Sequence, residues 1–417
     1  MVENRHAGSF RLDILQGLKS IPKRLSSKYF YDKEGDRIFQ EIMAMPEYYL
    51  TQCELDIFKN KTADLANLII PENEPFDLIE LGAGDAMKST FLLRYLVEKK
   101  TDFTYMPIDI SGNILSILNE KLTRELPDLK TVTLEGEYFE MLQKAASLSD
   151  RKKVILFLGS NIGNMNIEEA ENFLYDLNQN LASGDKLLIG FDLKKNPHTI
   201  LNAYNDKNGI TAAFNLNLLS RINRELGADF DPQQFQHYQT YDPVSGACRS
   251  FLVSLQDQTI RIGEDRISFE ENELIDMEVS QKFSTEKIEE LREKSDFKRV
   301  GEIKDSKNWF VDTVWEVKKE IRSPTYLSDY TDSAILIKSF NLLNQREQKH
   351  KNQSNSVTKT QAHDSKHSNI RFSKTIRRYP ETFRRNMCPS GNRGLCCTAH
   401  CRCKSSEMAP RPHHLVF

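Results

Sequence analysis

The chain has 417 residues, 39% of them hydrophobic, enough to bury a sizeable core and to build two or three domains. It contains no run of about 18 apolar residues, and MVENRHAGSFRLDILQGLKS lacks the basic-then-apolar order of a secretory signal, so a cytoplasmic location without a membrane span is expected. The net charge of −3 is unevenly divided: residues 319–417 carry 18 Lys and Arg against 7 Asp and Glu (+11), the first 318 carry 39 against 53 (−14), and so acidic a body argues against nucleic acid as a partner.

In chain order, SSKYFYDKEGDRIFQEIMAMPEYYLTQCELDIF reads as aromatic-rich helix interrupted by Pro46. FDLIELGAGDAMKSTFLLRYL passes from a short apolar run through a glycine turn into a helical pattern, which predicts strand, tight turn and helix. TYMPIDIS, KVILFLGSNIGN and DKLLIGFDLKK are further short apolar runs, alternating with helical patterns such as 112–125 and 167–182. Such alternation predicts a parallel sheet wrapped by helices. Between 196 and 285 it lapses. There ITAAFNLNLLSRINRELG reads as an amphipathic helix carrying Asn215, Asn217 and Asn223, and CRSFLVSL and ENELIDMEVSQKF read as strands. This stretch is expected to be an insertion forming a second lobe, after which FKRVGEIKDSKNWFVDTVWEVKK predicts two strands joined by a polar turn. The Asn residues are expected to tie groups between lobes, with a plain surface role equally open for Asn217. The expected domains are 1–60 and 196–285 for the substrate, 61–195 and 286–318 for the cofactor, and a basic tail at 319–417.

Gly82 and Gly84 stand where the first strand turns into helix. Glycine there permits positive φ and close approach of a ligand, although a tight turn needs it with or without one. The next strand ends in Asp109, 25 residues beyond Gly84, about where doubly wound folds set an acid against ribose hydroxyls. A dinucleotide would want a third glycine, where this chain has Met87. S-adenosylmethionine has no phosphate, so a methyl donor is favoured over NAD, and the closing hairpin suits a methyltransferase sheet.

Seven motifs, YFYDKEG, PEYYLTQCE, LIELGAGDAMKS, YMPIDIS, FLGSNIGN, AYNDKNGITAAFNLNLLSRINRELGADF and MEVSQKF, occur in the order of one family. Over roughly residues 10–318 the chain resembles the histidine-specific, S-adenosylmethionine-dependent methyltransferases of ergothioneine biosynthesis. The resemblance implies an α/β fold, a Rossmann-like class I methyltransferase domain with an inserted α+β substrate-binding domain. It implies Nα-methylation of L-histidine, up to trimethylhistidine (hercynine). The expected donor is S-adenosylmethionine, with no metal, and the expected state is a monomer. It implies that Gly82 and Lys88 contact the donor, Asp109 the ribose, and Glu137 and Tyr138 the adenine. For the amino acid, it implies Gly159 and Asn164 at the amine and carboxylate, Tyr204 at the carboxylate and Tyr31 near the amine. Tyr48, Glu278 and Ser280 would surround the imidazole, and Tyr31 and Asn164 are the catalytic candidates.

The chemistry suits these residue types. An α-ammonium must lose its proton before it can attack, and a desolvated tyrosine and a neighbouring cation both favour the neutral amine. Asn and Tyr can donate to a carboxylate, and an imidazole offers one donor and one acceptor. Glu278 and Ser280, two apart on a strand, share a face. Taken alone, however, MEVS also reads as a solvated strand face, Asn164 as a turn residue, and the tyrosines as core aromatics. One departure concerns the substrate: where family members often carry Glu-Met, this chain has Arg249-Ser250, which opens the side-chain pocket to another amino acid such as tyrosine or tryptophan.

In the tail, the spacing Cys-x7-Cys-Cys-x3-Cys-x-Cys from Cys388 to Cys403 fits no paired zinc-ligand pattern. The tail reads as a disordered extension outside the family fold.

Overall fold

The computed structural model describes residues 3–71 and 74–318; the tail at 319–417 lies outside the described residues. The N-terminal part runs α1 (Glu3–Leu18), β1 (Lys23–Arg24), α2 (Lys33–Ala44), α3 (Tyr49–Asn60) and α4 (Thr62–Ile69). An alternating α/β run follows: β2 (Phe76–Leu81), α5 (Ser89–Glu98), β3 (Phe103–Asp109), α6 (Gly112–Glu125), β4 (Leu134–Glu135), α7 (Tyr138–Leu148), β5 (Lys152–Phe157), α8 (Ile167–Gln179) and β6 (Lys186–Asp192). Then come α9 (Pro197–Tyr204), α10 (Ile210–Leu226), β7 (Phe235–Tyr241), β8 (Ala247–Ser254), β9 (Gln258–Ile262), β10 (Asp265–Phe269) and β11 (Leu274–Gln281). The described chain closes with α11 (Thr285–Lys294), β12 (Phe297–Lys304) and β13 (Phe310–Val317).

Seven strands form the main sheet in the order β12-β13-β6-β5-β2-β3-β4. The β2, β3, β4, β5 and β6 strands are parallel, whereas β13 runs antiparallel to β6 and β12 antiparallel to β13. All six residues of β2 are buried, as a strand covered on both faces requires. One face packs on α3, α4 and α5, the other on α7, α8 and α11. The chain first builds outward from β2 to β3 and β4, then returns to build β5 and β6 on the other side. The crevice beyond the strand ends at β2 and β5 is therefore the topological switch point, where open α/β sheets take their ligands.

A four-stranded sheet, β1-β11-β8-β7, carries its own core with α1, α2 and α10. Alternation along β8 buries Cys248, Ser250, Leu252 and Ser254 on one face. Cross-strand pairing sets Ser250 opposite Glu278 and Cys248 opposite Ser280, so these four share that face. The α3 helix packs with the main sheet and not with α1 and α2, so the seam between the two cores comes before Tyr49, earlier than a boundary at residue 60.

The asparagines of α10 divide differently from the expectation. Asn217 makes the long-range contact, its Nδ2 donating to Asp32 Oδ1 at 2.8 Å. Among the described residues the Asn215 side chain bonds only within its own helix, to the Thr211 carbonyl at 3.0 Å. Asn223 clamps the Phe230 backbone, donating to its carbonyl at 2.7 Å and accepting from its N–H at 2.8 Å. Asp32 also caps α2 by accepting from the Gly35 N–H at 2.7 Å, and it pairs with Arg224. Replacing Asp32 by alanine removes cap, amide and guanidinium contacts together, and the expected cost is about 1–3 kcal/mol. Urea unfolding measures it.

Candidate active site

The glycine turn after β2 opens on the switch point. Gly82 has φ +69°, and a Cβ there would stand 2.7 Å from the Tyr138 hydroxyl and 3.6 Å from Asn161 Nδ2. Gly84, at φ +53°, has open space where its Cβ would be. Its N–H donates to Asp109 Oδ2 at 3.1 Å, while Asp109 Oδ1 accepts from the Ser111 N–H at 3.0 Å. Each carboxylate oxygen thus braces one turn and keeps lone-pair capacity for ribose hydroxyls. Burial pushes the Tyr138 phenol up to about 12, and its ring stands edge-on to Phe157 at 6.1 Å. Glu137 is exposed just before α7. This bare turn, with an acid behind it whose oxygens keep free lone pairs, fits an adenosine-bearing sulfonium.

Beneath the turn, Glu54 of α3 is fully buried. Its two oxygens accept from the Gly159 N–H at 2.8 and 2.9 Å, and it pairs with the Lys88 ammonium. Burial alone would push Lys88 down. The Glu54 charge and hydrogen bond, with Asp312 and Glu80 behind them, outweigh it and hold the ammonium above the usual lysine value. Asp312, also fully buried, has no hydrogen-bond partner for either oxygen among the described residues; burial first, then the Glu54 charge, pushes its carboxyl well above the usual aspartate value. Lys88 and Gly159, expected on opposite sides of the reaction, are thus held by one carboxylate.

A second wall comes from β11, the residue that follows it, and the end of β6. Lys282 has no exposed surface, and its ammonium donates to Tyr204 Oη, Ser280 Oγ and Asp192 Oδ2, each at 2.8 Å. Tyr204 and Ser280 lie 2.7 Å apart, and the Tyr48 ring meets the Tyr204 ring edge-on at 6.1 Å. Asp192 is held further by the Tyr49 hydroxyl at 2.8 Å and by Lys195. Glu278 lies in the charge field of Lys282; burial raises its carboxyl to about 7, and the ammonium pulls it back down. Burial also pushes the Cys53 and Cys248 thiols up to about 12, so neither is a thiolate near neutrality.

Of the residues expected at the amino acid, Tyr48, Tyr204, Glu278 and Ser280 gather at this wall. Tyr204 bonds Ser280 and Lys282, which sets its hydroxyl beside residues expected at the imidazole, not at the carboxylate where it was itself expected. Tyr31 is 40% exposed, leans on Phe39 and Phe214 at 5.4 and 5.7 Å, and feels the charges of Glu278 and Tyr48. Asn164 ends the short helix Asn161–Asn164, which packs against β11 so closely that a Cβ on Gly163 would come 2.8 Å from the Gln281 carbonyl. It is exposed, and its side chain makes no hydrogen bond among the described residues. Glu54, Asn161, Asp192 and Lys282 were not anticipated, although PEYYLTQCE ends in Glu54 and MEVSQKF contains Lys282.

Strand order, glycine turn and closing antiparallel hairpin define a class I methyltransferase. Residues 10–317 match the histidine-specific, S-adenosylmethionine-dependent methyltransferases, and the chain belongs to that family. It is similar to the histidine N-alpha-methyltransferase of Mycolicibacterium smegmatis, 33% identical over 284 residues, 68% of this chain and 87% of that protein. The histidine N-alpha-methyltransferase of Mycobacterium tuberculosis is 33% identical over 282 residues, 67% of this chain and 86% of that protein. Ergothioneine biosynthesis protein 1 of Schizosaccharomyces pombe is 30% identical over 313 residues, 72% of this chain and 40% of that longer protein. Membership implies S-adenosylmethionine as the methyl donor and sets the NAD reading aside.

Proposed function

We propose that the protein methylates the α-amino nitrogen of L-histidine, through to the trimethylated betaine hercynine. The observation that carries this reading is that Tyr31 lies within electrostatic reach of both Glu278 and Tyr138, which ties together two groups of residues. One is the glycine turn with Asp109 and Lys88, the other the Tyr204–Ser280–Glu278 group, in a chain of the histidine-specific family. S-adenosylmethionine supplies an electrophilic methyl on a sulfonium. Gly82, Lys88 and Asp109 would hold it, with Glu137 and Tyr138 beside the adenine.

The chain's own residues then align a neutral amine and exclude competing water. Glu278 accepts the ring N–H, and the Tyr204–Ser280 hydroxyls donate to the bare ring nitrogen, fixing the side chain against the Tyr48 ring. That anchoring leaves the amino acid's polar end at Gly159, Asn164 and Tyr31. Asn164 and Tyr31 are exposed, so the ammonium proton passes to solvent there, and each later methyl group meets an amine delivered in the same way. The segments around the four-stranded sheet act as the substrate domain.

A second reading rests on Ser250. It stands directly opposite Glu278 with only a small side chain, which fills less of the wall than a larger residue would and so suits a phenol or indole. One experiment decides between them: purified protein is incubated with S-adenosylmethionine and all twenty amino acids, and products are read by mass spectrometry. A mass gain of three methyl groups on histidine alone is the expected result. Methylated tyrosine or tryptophan in its place would establish the second reading, and no methylated amino acid would defeat both.

A further inference from the structure

Lys282 belongs to no motif role so far described, yet it is a fully buried cation bonded to two hydroxyls of the substrate wall. An ammonium has three protons and accepts nothing. Here each has a distinct acceptor: Asp192 Oδ2, Tyr204 Oη and Ser280 Oγ. Tyr204 and Ser280 have one proton apiece and lie 2.7 Å apart. Neither can aim its proton at Lys282, because both already accept from it. One proton is spent between the two hydroxyls. The hydroxyl that receives it now accepts twice, and its own proton must leave the cluster.

We infer that Lys282 is a positioning residue that makes the Tyr204–Ser280 pair an obligate donor toward the substrate ring. The wall then offers one donor there and one acceptor at Glu278. That pattern matches a neutral imidazole, with one bare nitrogen and one N–H. An indole, which only donates, leaves the outward hydroxyl without an acceptor, and a buried donor left unpaired is costly. An imidazolium, which only donates, is refused at the same hydroxyl. With Lys282 absent, the pair is free to turn and accept, and the pattern is lost. Ser280 and Tyr204 are 9% and 7% exposed, so the outward proton has only a narrow opening, and little water competes for it.

This inference rests on histidine being the substrate, so wild-type turnover of histidine is measured first. Wild-type protein that binds S-adenosylhomocysteine but does not methylate histidine would overturn the functional reading, and this inference with it. Given turnover, Lys282→Met is placed in the wild type and in a Tyr204→Phe/Ser280→Ala background that has no hydroxyl pair. In the wild type, KM for histidine should rise ~10- to 100-fold, with a smaller change in kcat and S-adenosylhomocysteine affinity held within about twofold. In the hydroxyl-free background, the same substitution should change KM by less than about threefold, since Lys282 acts through the pair. An equal rise in both backgrounds, or none in the wild type, would overturn the inference. Should Lys282→Met fail to fold, Asp192→Asn/Lys282→Met removes the opposite charge as well, and the same comparison applies.

Discussion

Replacing Glu54 by alanine is expected to destabilise the protein by about 3–5 kcal/mol and to weaken donor and amino acid together. The magnitude follows from what is left behind. Lys88 keeps its charge in a site whose burial already disfavours it, and the Gly159 N–H loses both of its carboxylate acceptors. Glu54→Gln separates the two losses, because an amide oxygen can still accept from Gly159 while the charge is gone. The glutamine variant should therefore retain more histidine affinity than donor affinity, and alanine should lose both. Urea unfolding, calorimetric titration with S-adenosylhomocysteine and the KM for histidine give the three readings. Unchanged donor affinity in both variants would break the link between α3 and the glycine turn.

Asp312 modifies this outcome in a way that can be checked. It lies in the electrostatic field of both Glu54 and Lys88, its carboxyl is raised by burial and by the Glu54 charge, and it has no hydrogen-bond partner among the described residues. Once Glu54 is removed, the charge that raises Asp312 is gone and an unpaired ammonium is left nearby, both of which favour its carboxylate. That carboxylate should recover part of the stability. Asp312→Asn is accordingly expected to cost more in the Glu54→Ala background than in the wild type, a non-additivity that a double-mutant cycle reads directly.

The parallel core was legible because its strands are continuous apolar runs ending at turns, a signal that survives without tertiary context. The closing β12–β13 hairpin was legible differently, from two β-branched and aromatic stretches flanking a polar turn. The β7 strand, FQHYQTY, was not, since its side chains are mostly polar and only partly buried. The β9–β10 hairpin is equally short and only alternately buried. The N-terminal helices read as one group, yet α3 leaves α1 and α2 to pack on the main sheet, a choice made by tertiary contact and not by periodicity. At the site, Gly82, Asp109 and the i, i+2 pair Glu278 and Ser280 follow from local geometry. Glu54, Asp192 and Lys282 do not. A lone acid or lysine reads as a solvated charge until the fold supplies its partner, and these partners are 34 to 105 residues distant for Glu54 and 78 for the Tyr204 bond to Lys282. The α10 asparagines show the same limit: the position open to a surface reading, Asn217, makes the cross-segment bond.

Methylation of histidine is expected to carry a pH limb near 7 that Glu278→Gln removes. Burial raises this carboxyl from the ordinary glutamate value of 4.5 to about 7, so it is mostly a neutral acid at pH 6 and mostly a carboxylate at pH 8. Only the carboxylate is purely an acceptor for the ring N–H. The contribution of Glu278 to kcat/KM should therefore grow about tenfold between those values, as a single group titrating near 7 requires. Loss of protons from the substrate's own imidazole and amine also raises the rate over this range, but those groups are unchanged in the variant, so the difference between the two profiles isolates Glu278. The sign for stability runs the opposite way. An acid whose folded value exceeds its unfolded one costs the fold nothing below pH 4.5, and an increasing amount as pH rises toward 7. Glu278→Gln should thus match the wild type in stability at low pH and exceed it at pH 8, where its activity deficit is largest. Parallel pH profiles for the two proteins would remove Glu278 as the acceptor for the ring.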